Sequence, residues 1–146
     1  MQSAAAGPTP GRADMAMDAE LLPGIALWNV DEYLLAEEEF ERVWLTEVGA
    51  RRRYLRGLIH AAMGFHYMSL RDISSARSKL TSAGAILAGF AADFLGLDLH
   101  GLRAGIAAAR AALERAGEDK LFDPAGVPVP RLAPAAAGLV AHEEQT

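Results

Sequence analysis

Residues 29–47 read NVDEYLLAEEEFERVWLTE, and the spacing within this run decides the fold. Stepped at about 100° per residue, Tyr33, Ala36, Phe40, Val43 and Trp44 fall on one apolar stripe. Leu34 and Leu45 fall on a second, neighbouring stripe. This is the period of a helix. Glu37 and Glu41 lie between the stripes, one turn apart on the same side. A carboxylate enclosed by apolar neighbours must be neutralised, paired or bound to a metal, because an isolated ionised acid is very costly there. The helix is therefore expected to carry a site or to meet a structural partner for its acids. Asn29 reads as its N-cap, with Glu32 completing a capping box, and Gly49 as its end.

Working outward, residues 51–70 (RRRYLRGLIHAAMGFHYMSL) are apolar nearly all round after Arg56, which predicts a central helix. Gly57, Ala61 and Gly64 lie close to one line along it, where small residues let another helix approach. A third helix is expected over residues 72–92, with Asp72 as N-cap and Leu80, Ala83, Ile86, Leu87 and Phe90 inward. A fourth is expected over residues 99–116, after Asp98, with Leu102, Ile106, Ala109 and Leu113 inward and Gly117 as the stop. Residues 18–28 hold a short apolar cluster broken by Pro23 and Gly24, read as one helical turn. Short connections and the lack of strand alternation predict an all-α, single-domain antiparallel helical bundle of about four main helices. Its domain spans residues 18–117, between a flexible arm at 1–17 and a Pro-rich tail at 118–146. The stretch VPVPRLAP within that tail should be extended, either free or laid across the bundle.

The 146 residues suffice for one domain with a real core. A formal net charge of −5 argues against a nucleic-acid surface, which needs an excess of Lys and Arg. With no Cys, disulfides and thiolate chemistry are excluded. The longest apolar run, residues 83–92, is too short to span a bilayer. A cytoplasmic, non-membrane protein is expected. The Ala- and Gly-rich faces of the third and fourth helices are expected to be covered by the tail or by another copy in a homo-oligomer.

The run Asn29-x-x-Glu32-Tyr33-x-x-Ala36-x-Glu38-x-x-Glu41-x-x-Trp44 resembles the signature of an uncharacterised bacterial and archaeal family of small all-α proteins, domain of unknown function family 309. That signature reads roughly N-x-G-E-Y-F-E-A-H-E-x-x-E-x-x-W. It continues with G-L-I-Q on the next helix and a His one and a half to two turns later. Gly57, Leu58, Ile59 and His60, and then His66, stand in those places. The resemblance covers about residues 20–115. The family's motif His is Glu37 here, its motif Gly is Asp31 and its motif Gln is His60. The resemblance implies the fold and the location of a pocket; no settled reaction comes with it.

The candidate pocket comprises Tyr33, Glu37, Glu38, Glu41, Trp44, Arg53, His60 and His66. Three readings stand. Glu37, Glu41 and His66 could hold a divalent metal such as Mn, Fe(II) or Zn, although neither the di-iron bundle spacing nor His-Glu-x-x-His is present. Alternatively, Arg52, Arg53 and Arg56 could satisfy the acids in a buried ion-pair network, with His66 a hydrogen-bonded core residue. Thirdly, Glu38, Glu41 and His66 could act as general acid and base. Ser74, Ser75, Ser78 and Ser82 sit in no nucleophile elbow. Trp44, Tyr33 and Tyr67 could line a ligand pocket or simply pack. His100 and His142 are expected to be solvated. Two function classes follow: a binding or structural module built on a buried Glu/Arg/His cluster, or a metal-assisted hydrolase using Glu37, Glu38, Glu41 and His66.

Overall fold

The computed structural model describes residues 17–117 and 121–135. Most of the expected arm, the end of the tail and His142 lie outside the described residues. Among these there are five α-helices and no strand: α1 (Leu22–Asn29), α2 (Tyr33–Trp44), α3 (Gly49–Ser69), α4 (Ile73–Leu87) and α5 (Leu99–Ala116). Consecutive helices pack on one another through short connections, giving an antiparallel bundle with α3 in the middle. No described helix is long and apolar enough to cross a membrane.

The central position of α3 follows from its composition. Tyr54, Leu55, Leu58, Phe65 and Met68 are buried, and so are its small residues Gly57, Ala61, Ala62 and Gly64. A Cβ on Gly57 would stand 2.6 Å from Leu87 of α4, and one on Gly64 would stand 2.5 Å from Leu80. The line of small residues is thus the seam with α4. Asp72 and Asp98 cap α4 and α5, accepting from the backbone N–H of Ser75 at 3.2 Å and of Gly101 at 2.9 Å. The Tyr54 ring packs edge-on against Phe90 and Phe94, and its hydroxyl is buried with no hydrogen-bond partner among the described residues.

The structure differs from the sequence reading at four points. Asn29 closes α1 rather than opening α2, and the cap of α2 is Glu32, whose side chain makes no capping bond. The segment before it is a 3-10 turn (Ala19–Leu21) and an eight-residue helix with Pro23 near its start, so the bundle has five helices instead of four. Gly49 belongs to the entry of α3; its φ of 68° serves the α2–α3 turn. Finally, α4 stops at Leu87, five residues before the expected end. Arg103 of α5 donates to the carbonyls of Leu87 at 3.0 Å and Phe90 at 2.8 Å, satisfying the open end and turning Phe90 into the core off the helix.

Residues 121–135 run back over the bundle. Leu97 and Pro134 form an isolated antiparallel bridge, with Asp98 N–H donating to Ala133 O at 2.8 Å and Ala135 N–H to Gly96 O at 2.7 Å.

The α3–α4 seam yields a test. Gly64→Ala should favour the isolated helix by about 1 kcal/mol. The new methyl would also stand 3.2 Å from the Leu80 backbone nitrogen, which cannot rotate away. Overpacking of that kind costs about 1–3 kcal/mol. Urea unfolding should therefore show a net loss of up to about 2 kcal/mol. A gain would mean the seam is looser than described.

Candidate functional site

The faces of α2 set what the site can be. Tyr33, Ala36 and Phe40 are buried against α1 and α3, as the first stripe requires. The second stripe is not a core stripe: Leu34 is 46% exposed and Leu45 65%. Glu37 and Glu41 therefore lie along the rim of one interface, not between two. Glu37 is half-buried, Glu38 and Glu41 are exposed, and no charged residue is buried among those described. This corrects the expectation of a buried Glu/Arg/His cluster.

A groove of about 270 Å³ runs along the α2–α3 seam. Glu37, Glu41 and Trp44 line it from α2; Arg56, Ile59, His60 and Met63 line it from α3. Of the expected pocket residues it gathers Glu37, Glu41, Trp44 and His60. Glu38 and His66 are not among its lining residues; His66 stands nearly a turn beyond Met63, its ring 6.0 Å from that of Tyr67. Arg53 stacks over Phe90 instead, at 4.9 Å, and Arg56 takes the groove position. Tyr33 faces away, edge-on to Trp28 at 5.8 Å, with its hydroxyl donating to Asp31 Oδ1 at 3.0 Å. Burial and the Asp31 carboxylate push its pKa up to about 12. No group of three or more His, Asp and Glu residues suited to holding a metal exists among the described residues.

The arginines do not neutralise the groove acids. Arg52 lays its guanidinium 3.7 Å above the Trp44 ring and donates to the carbonyls of Trp44 and Glu47, closing the end of α2. Arg51 gathers Asp18 at 2.7 Å, Glu20 at 2.8 Å and Glu47 into one network that ties the chain ahead of α1 to α3. The ion-pair network that sequence reasoning sought thus exists on different residues. Asp18 and Glu20 were missed because they precede any regular periodicity. Glu37, Glu38 and Glu41 form no ion pair among the described residues. Burial, then Glu41, then Glu38 hold the Glu37 carboxyl above the ordinary carboxylate range. Opposite it, His60 Nδ1 lies 2.7 Å from Ser82 Oγ of α4. Burial, helped by Lys79 and Arg56, lowers the imidazole pKa, so His60 favours its neutral form.

The fold and groove define a small all-α bundle with a motif-lined seam. Residues 21–78 match the model of a family described as Domain of unknown function (DUF309), the family that the motif pair resembles. The match ends within α4 and does not extend to residue 115. No curated protein matches the chain. The departures from the signature acquire places here. Asp31 has a φ of 67°, a left-handed turn between α1 and α2 for which Gly suits best and Asp is tolerated. The other two departures, Glu37 and His60, line the same groove.

The sign for Glu37 follows from its raised pKa. Its charge burdens the folded state at neutral pH, and the burden lifts as pH falls through the raised value. Glu37→Gln should therefore raise the melting temperature at pH 7 by about 1–2 °C, the size of one i, i+4 repulsion of about 0.2–0.5 kcal/mol. By pH 3 the difference from the parent should vanish. A loss of stability at pH 7 would mean that Glu37 has a cationic partner.

Proposed function

We propose that this chain is a binding module whose α2–α3 groove takes an organic cation carried on an apolar stem. The observation that carries this reading is a pair of carboxylates, Glu37 and Glu41, facing one groove without an ion pair among the described residues. Ile59 and Met63 supply an apolar floor for the stem, and Trp44 already has a guanidinium stacked upon it. Arg56 shares the groove and pairs with neither acid; it sets a preference for slim cations that leave it room. The lack of Cys and the net charge of −5 suit a cytoplasmic protein without a nucleic-acid surface. The metal-assisted hydrolase reading lacks comparable support, since Glu38 and His66 stand outside the groove.

Magnitudes set the affinity scale. An exposed ion pair contributes about 0.2–1 kcal/mol. Burial contributes about 0.8 kcal/mol per CH2, so a four-carbon stem and the charge together reach about 4 kcal/mol, a millimolar Kd. Titration of 15N-labelled protein with n-butylammonium should shift amides of α2 and α3 along the groove with such a Kd. The double variant Glu37→Gln/Glu41→Gln should weaken binding by up to about fivefold, and n-butanol should bind no better than that variant binds the amine. Equal response to amine and alcohol would remove the carboxylates from the function.

A further inference from the structure

A second site lies at the end of α1, and the chain's own tail sits in it. Trp28, at the end of α1, is fully buried, and its indole Nε1–H donates to Pro130 O at 2.8 Å. The Asn29 amide reads one tail residue twice: Nδ2 donates to Leu132 O and Oδ1 accepts from Leu132 N–H, each at 2.9 Å. Leu132 is 2% exposed, seated in the core cluster. Arg131 points the other way, 3.3 Å from Asp31 and bonded to Asn29 O. On α5, Gly105 leaves space for the Pro130 ring; a Cβ there would stand 2.4 Å from Pro130 Cγ.

Taken together, these contacts recognise an extended segment. Backbone polar groups are read by an indole and an amide, one proline has a glycine slot, one leucine has a socket, and one arginine has a carboxylate. That division of labour is how grooves bind polyproline-type peptides. The fit is also incomplete. Beside the clamp, Pro124, Val127 and Val129 share with Tyr33, Phe65 and Met68 the lining of an open cleft of about 440 Å³, although both valines still touch the core. The clamp residues Trp28, Asn29 and Asp31 fall within the matched residues 21–78, while the occupant lies outside them.

We infer that the Trp28–Asn29–Gly105 groove is a receptor for an extended Pro-Arg-Leu peptide of a partner, occupied in cis by this chain's own residues 127–132. A partner segment of the same chemistry must displace the tail, so the intact chain binds it weakly and a chain with a loosened tail binds it well.

The test uses full-length protein and a fluorescein-labelled peptide of residues 124–135, PAGVPVPRLAPA. Anisotropy should show at least tenfold tighter binding to the Leu132→Ala chain than to the wild type. Adding Gly105→Ala, which favours the helix and fills the proline slot, should abolish it. Should Leu132→Ala lose its helical circular dichroism, the exposed Arg131→Ala loosens the tail without touching the core. In the wild type, the amides of Leu132 and Ala135 should exchange by local opening, at least tenfold faster than those of α3. A folded, loosened variant that ignores the peptide overturns the inference. So do tail amides that exchange only with global unfolding, which would make the tail ordinary structure.

Discussion

At Gly57 and Gly64, α3 presents bare backbone to the Leu87 and Leu80 side chains of α4, and the remaining architecture follows from that contact. Because α4 approaches so closely on one side, α3 can pack against α2 as well, and Leu55, Leu58, Phe65 and Met68 are all buried. The helix can then lie at the centre of a small domain and bury residues nearly all round. The seam carries a cost. Each glycine weakens the helix by about 1 kcal/mol relative to Ala, and the burial of Leu80 and Leu87 at about 1.5–3 kcal/mol each offsets it.

With α3 fixed, two groups of acids can be contrasted. Asp18, Glu20 and Glu47 converge on Arg51, where they join the N-terminal turn to the start of α3. Glu37, Glu38 and Glu41 have no such partner among the described residues and crowd one another along a single helix face. The contrast arises from position. Arg51 emerges at the bundle end where three segments meet, whereas Arg52 and Arg53 are occupied by Trp44 and Phe90. The basic run at the start of α3 is thereby consumed without neutralising the groove, and an unfavourable charge pair is retained where a ligand could reach it. Concentrations of unfavourable interaction of this kind often mark function.

Much of this was legible in the residues. The stripe Tyr33, Ala36, Phe40 predicted the buried face of α2, the glycine line predicted a close helix contact though not which helix makes it, and Asp72 and Asp98 predicted two helix starts. The errors share a physical origin. Asn29 carries the right chemistry for a cap, but its amide is used by Leu132, a residue 103 positions away. The early stop of α4 depends on Arg103, sixteen positions beyond Leu87. Local pattern cannot display such long-range partners. The misjudged burial of the glutamates came from treating Leu34 and Leu45 as core, when apolar side chains also occur freely on surfaces. The groove itself was half legible: Glu37, Glu41, Trp44 and His60 meet, while Arg56 replaces Arg53 and His66 stays out.

Glu37 is an acid at the rim of the groove with no cation partner among the described residues. Carboxyl 13C NMR titration of the glutamate side chains tests this most directly, in free protein and in protein saturated with n-butylammonium. With its charge unneutralised, Glu37 should show a midpoint above the ordinary glutamate range, falling when the organic cation occupies the groove. A midpoint within or below that range, unmoved by the cation, would contradict it.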